Sequence, residues 1–171
     1  APDTLAPTLS RSTPADNATA IAAGSNIVLN FSEAVDVKSG NIVIKKKSDD
    51  SEVETIAITS GKVTGTGTNQ ITINPAATLA SKTEYYVSID ATAFDDKSGN
   101  SYAGINDQTS LSFTTADVGV PTLAASTPVD NATAVNVNSD IVLTFSELVD
   151  VKTGNILIKK TSDDSTVETI D

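Results

Sequence analysis

Residues 7–57 and residues 121–171 are two copies of one stretch of sequence, aligned without a gap and identical at 36 of 51 positions. Pro7-Thr8-Leu9 returns as Pro121-Thr122-Leu123, Phe31-Ser32-Glu33 as Phe145-Ser146-Glu147, and Ser48-Asp49-Asp50-Ser51 as Ser162-Asp163-Asp164-Ser165. The offset of 114 residues is far longer than the ~20–50-residue period of solenoids. It matches a single β-sandwich domain of about 100 residues. Each copy is therefore expected to fold around its own interior. The boundaries that follow are a complete module over 1–117, a short linker over 118–120, and the N-terminal half of a second module over 121–171. Asp171 aligns with Ala57, in mid-module, so the chain reads as a piece of a longer tandem array.

Strand signals fill the module. Ile27, Leu29 and Phe31 alternate with Val28 and Asn30, and Ile42 and Ile44 lead into Lys45-Lys46-Lys47. Turn residues 48–51 precede Val53, Ile56 and Ile58, and the run Gly65 to Asn69 precedes Ile71 and Ile73. Tyr85, Val87 and Ile89 form one further alternation, and Leu111 and Phe113 another. Alternation at period two marks half-buried strands, and the abundance of Val, Ile and Thr suits a pleated surface. With a first strand near Thr8 to Ser12, the expected fold is all-β: a Greek-key sandwich of about seven strands per module. Residues 76–81 are expected to form at most one short turn of helix.

Composition removes whole classes of chemistry. The 171 residues hold no His and no Cys, which excludes Ser-His-Asp and Cys-His triads, the usual zinc sites and disulfides. Eleven Lys+Arg against 22 Asp+Glu give a net charge of −11, which argues against nucleic acid and anionic lipid as partners. No apolar run reaches the ~18 residues that suggest a membrane span. An enzyme is not expected, nor is a small-molecule substrate. Asp49-Asp50 is better read as a solvated turn than as a catalytic pair, because glycoside hydrolysis needs two carboxyls across a cleft. The basic run Lys45 to Lys47 is expected to keep a strand edge soluble and to pair loosely with Asp49 and Asp50.

The runs Pro7-Thr8-Leu9, Ser12-Thr13-Pro14-Ala15-Asp16-Asn17-Ala18 and Ile27-Val28-Leu29-Asn30-Phe31-Ser32-Glu33 resemble the bacterial Ig-like domain of S-layer proteins and large surface adhesins. Leu79 to Tyr85, Asp96-Lys97-Ser98-Gly99-Asn100 and Phe113-Thr114-Thr115 fit the same pattern. The resemblance implies an Ig-like sandwich used as spacer, stalk or lattice unit. It also implies that Tyr85 is a corner tyrosine, bonding backbone near a strand crossover.

In an Ig-type sandwich, the start of the first strand, the loop between strands two and three, and the last hairpin loop lie at one end. That would gather Asp3, Glu33, Asp36, Asp95 and Asp96 beside the N-terminal linker. Asn100 belongs to the same loop, in a pattern Asp-x-Lys-Ser-Gly-Asn that echoes Asp36 to Asn41. Like charges so placed repel, and a Ca²⁺ ion, which takes about 6–8 oxygen ligands, would bridge them. Asp117, Glu147 and Asp150 repeat the arrangement at the next joint. The alternative is a set of solvated turns in which Gly, Asn and Asp serve backbone geometry.

The expected function is a structural tandem repeat of a secreted or cell-surface protein, with adjacent copies of the same module as partners. Serial copying adds reach, whereas a unique active site gains nothing from it. The alternative is a carbohydrate- or protein-binding accessory module of an extracellular enzyme. That role calls for exposed aromatic anchors, for which Tyr86 and Tyr102 are the candidates.

Overall fold

The structure is a computed structural model that describes residues 3–171. Contacts divide the chain after Val118 into two units. The first is a two-layer sandwich. One sheet runs in the order β1 (Leu9–Thr13), β3 (Ile27–Val37), β7 (Thr68–Ile73) and β6 (Val63–Thr64), with β9 (Phe94–Asp95) paired to the far end of β3. The other runs β2 (Ala18–Ile21), β10 (Ser112–Thr115), β8 (Glu84–Ile89), β4 (Asn41–Lys46) and β5 (Glu52–Ala57). The chain crosses between sheets from β3 to β4, from β5 to β6 and from β7 to β8, which is the expected Greek-key sandwich.

The seven strands expected from alternation are all present. The additions are β2, β6 and β9, of four, two and two residues. β2 arises where the first strand changes sheets: β1 lies antiparallel to β3, and after Pro14 and Asn17 the chain runs parallel to β10. Residues 76–81 form no helix. Their N-terminal end is held open by the carboxylate of Glu54, which accepts the N–H groups of Ala76 and Ala77.

Strand alternation puts one side chain in two between the sheets. Ile27, Leu29, Phe31 and Val35 from β3 meet Ile42, Ile44 and Val87 from the other layer, all at most 3% exposed. Three aromatic rings fill one end. Phe31 lies 5.1 Å from Phe94 and 5.2 Å from Tyr102 in a T-shaped contact. Tyr85 is a corner tyrosine in fact as well as in pattern: its hydroxyl accepts the N–H of Ala80 at 2.9 Å. Asp107 gathers its own turn by accepting the backbone N–H and hydroxyl groups of Thr109 and Ser110.

The second unit holds four strands in two hairpin-like pairs: β11 (Leu123–Thr127) with β12 (Val142–Phe145), and β13 (Ile156–Lys159) with β14 (Thr166–Ile170). Register is preserved from the first unit. Leu123 opposes Phe145 as Leu9 opposes Phe31, and Ile156 opposes Ile170 as Ile42 opposes Ile56. Even the left-handed backbone positions recur, with φ of 58° and 60° at Asn17 and Asn131, and 56° at both Ala20 and Ala134. Local sequence therefore sets these turns without help from the rest of a module. Among the described residues no helix is long and apolar enough to cross a membrane.

Candidate metal centre

At one end of the first unit a cluster of carboxylates forms. Asp3 precedes β1, Glu33 lies on β3 just past Phe31, and Asp96 follows β9. Each offers a carboxylate oxygen, and these oxygens all lie within 4.8 Å of one another. Asp96 is 3% exposed and firmly held. Its Oδ1 accepts the N–H groups of Ser98 and Asn100, both at 2.8 Å, and its Oδ2 accepts the Asn100 side-chain amide at 2.7 Å. The same amide also donates to the backbone carbonyl of Asp3 at 3.3 Å, tying the N-terminal segment to the 96–100 turn. Asn100 thus orients Asp96 through its nitrogen.

Electrostatics at the cluster is one-sided. Partial burial, then the charges of Asp3 and Asp96, raise the pKa of Glu33 above the ordinary glutamate value. Asp96 is pushed the other way, lowered first by the Asn100 side chain and then by backbone amides, against the cost of desolvation. Among the described residues no lysine or arginine pairs with Asp3, Glu33 or Asp96. Three converging oxygens with no cation beside them are a donor set that suits a hard divalent ion such as Ca²⁺.

Asp36 and Asp95 stand apart from this group. They oppose one another across β3 and β9, so both project from the same face of the ladder. Asp95 and the inward-facing Phe94 alternate along β9, which directs Asp95 away from the core. The topology thus brings the loops together as expected, while the pleat withdraws two of the five carboxylates. Of the residues expected at the next joint, Asp117 belongs to the first unit, where the Lys82 ammonium lies 2.9 Å from its carboxylate. Glu147 and Asp150 belong to the second unit, with Lys152 at 4.0 Å from Asp150.

The opposite end of the first unit carries contacts that sequence patterning does not reveal. Thr115 Oγ1 donates to the carbonyl of Ala80 at 2.6 Å, and Ser81 Oγ donates to the carbonyl of Ala116 at 3.1 Å. Ser81 Oγ in turn accepts the N–H of Val118 at 3.0 Å, and the backbone N–H of Lys82 donates to Ala116 at 3.2 Å. Residues 116–118 are therefore bound to the module they leave. Lys45 and Lys46 lie 3.8 and 3.9 Å from Asp50 and Asp49, as expected, while Lys47 turns to Glu84 at 2.7 Å.

A sandwich with these crossovers, a first strand split between its two sheets and a corner tyrosine is an immunoglobulin-like arrangement. The sequence profile of the bacterial Ig-like domain matches residues 3–115 and again 117–171. The chain belongs to the bacterial Ig-like domain family. The first match covers a whole Ig-like module and the second covers the repeated half. No curated protein sequence matches the chain. Among solved structures, it is similar to CopC from Methylosinus trichosporium OB3b at 12% identity and a TM-score of 0.46, over 67% of this chain and 97% of that one. It is also similar to the S-layer protein rSbsC(31-844) at 16% identity and a TM-score of 0.44, over 95% of this chain and 22% of that one. The carboxylate cluster and the anchored linker of this Ig-like module rest on its own residues, not on either likeness.

Proposed function

We propose that this chain is a structural spacer of a secreted or cell-surface protein, of the kind that builds S-layers, adhesin stalks or extracellular filaments. Ca²⁺ at the module joints would stiffen the array. The observation that carries the reading is the convergence of Asp3, Glu33 and Asp96, together with the repetition of Asp3 and Glu33 as Asp117 and Glu147 at the next linker. A linker carboxylate bridged by a cation to the body of the following module loses freedom at the joint. Anchoring of residues 116–118 on Ser81 and Lys82 works to the same end, leaving Gly119 and Val120 before Pro121 to set the bend. The partners on this reading are adjacent copies of the same module.

The accessory-module alternative needs an aromatic platform. Tyr86 and Tyr102, the two candidates, are 4% and 7% exposed. Tyr86 gives its hydroxyl proton to Asp50, and Tyr102 packs on Phe31. Neither is placed to stack on a sugar.

Titration of the chain with Ca²⁺ tests the joint. Extracellular Ca²⁺ modules bind with Kd of about 10⁻⁴–10⁻³ M. At ten times Kd, bound metal adds about 1.4 kcal/mol, which raises the melting temperature of a domain this size by several degrees. EGTA should reverse the rise. NMR titration of Glu33 gives a second reading with a definite sign. Without metal its pKa lies above the ordinary value, so the folded state holds its proton more tightly and stability falls as pH rises through that window. With metal bound the pKa should drop below the ordinary value. No melting shift and no movement of the Glu33 titration would contradict a cation at this joint.

A further inference from the structure

The second unit exposes what the first unit buries. Leu143 is 39% exposed where its counterpart Leu29 is 0%, Val149 is 44% where Val35 is 0%, and Ile156 is 54% where Ile42 is 0%. In the first unit these side chains are covered by β7 to β10, all contributed by residues 58–115. The difference extends to backbone. Ala18–Ile21 is a strand paired with β10, whereas the nearly identical residues 132–135 form none. β3 continues to Val37 alongside β7 and β9, whereas β12 stops at Phe145. Identical sequence thus becomes strand only where the C-terminal half of a module lies beside it.

Polar groups are retained in the same way. Asp16 accepts the N–H of Ser112 at 2.9 Å, and Glu54 accepts Ala77 N–H at 2.8 Å and the Lys62 ammonium at 2.5 Å. All of these donors lie within 58–115, and both acceptors recur as Asp130 and Glu168. An apolar face alone fits many partners. An apolar face that also keeps the acceptors for particular backbone groups at conserved register fits one kind. We propose that residues 121–171 are a preformed acceptor for a β-polypeptide with the strand pattern of residues 58–115, additional to the one this chain holds. Backbone ladders on β12 and β13 give the affinity, and the pockets left by alternate side chains give the specificity. A groove lined by Leu143, Phe145, Val149 and Ile156 receives the counterparts of Ile71, Val87 and Phe94. A second copy of this chain is not the occupant by simple stoichiometry. Each chain holds two N-terminal halves and one C-terminal half, so exchange between copies fills one acceptor by emptying another.

The test adds a separately made polypeptide of residues 58–118 to the isotope-labelled 171-residue chain. Expected is saturation at one probe per chain, with amide exchange at residues 132–135 and 146–151 slowed about a hundredfold or more, and loss of dye binding to exposed apolar surface. A chain that carries a second copy of residues 58–118 directly after Asp171 guards against an insoluble probe. In it the same amides should gain protection equal to that of residues 18–21 and 32–37. Unchanged exchange at these amides in both experiments would overturn the proposal. So would a dimer of the unmodified chain that buries Leu143 and Phe145 on its own.

Discussion

Phe31→Ala is expected to cost the first module about 3–5 kcal/mol, and Phe145→Ala, the same substitution at the repeat-related position, to cost that module nothing measurable. Phe31 is 3% exposed and stands between Phe94 and Tyr102. Its removal leaves a cavity walled by two rings and deletes two aromatic contacts, each worth about 0.5–1.5 kcal/mol beyond buried area. The surrounding sheets are hydrogen-bonded ladders, which collapse poorly into such a gap. Phe145 is 36% exposed and belongs to the second unit. Urea unfolding followed by tyrosine fluorescence separates the two, because Tyr85, Tyr86 and Tyr102 all lie in the first module. Equal losses at both positions would mean that the two units share an interior.

Glu54→Ala is the second large effect expected, at about 1.5–3 kcal/mol, the range for hydrogen bonds to a charged group. Glu54 sits on β5 and reaches the segment after β7, accepting the N–H groups of Ala76 and Ala77 and pairing with Lys62. Burial by itself would raise its pKa. The Lys62 ammonium and the two amides together outweigh burial and hold the pKa below the ordinary glutamate value. The folded state therefore binds the Glu54 proton less tightly than the unfolded chain. That contribution is full above the ordinary value near pH 4.5 and is lost as pH falls through the lowered pKa. Glu54→Gln should accordingly destabilise at pH 7 and converge on the parent protein in acid. A pH-independent difference between the two would contradict the carboxylate's role and leave only shape to explain the loss.

The two unequal halves of this molecule explain what could be read from its sequence. Strands β3, β4 and β8 were legible because one side chain in two is apolar over a run long enough to show a period. β2 was not, since Ala18-Thr19-Ala20-Ile21 has no clear alternation and becomes a strand only through parallel pairing with β10, over 90 residues away in sequence. β9 is too short to carry a pattern at all. At the metal site, chain topology alone placed Asp3, Glu33 and Asp96 at one end. It could not separate Asp95 from Asp96, because that depends on which face of a two-residue strand each side chain occupies. Glu54, Ser81 and Asp107 escaped notice for a related reason. Glu54 and Ser81 bond to groups distant in sequence, and Asp107 to its own turn. Nothing in the residue types announces the partner, although the recurrence of Glu54 as Glu168 marks that position as fixed by more than solubility.

The central claim is that a module buries its own interior and is copied for reach. Urea unfolding of residues 1–118 alone, compared with the 171-residue chain by tyrosine fluorescence, tests it most directly. Because the slope of such a transition scales with the surface exposed on unfolding, both midpoint and slope should superimpose. A lower midpoint or a shallower slope for the shorter chain would show that the first module draws its core from residues beyond Val118.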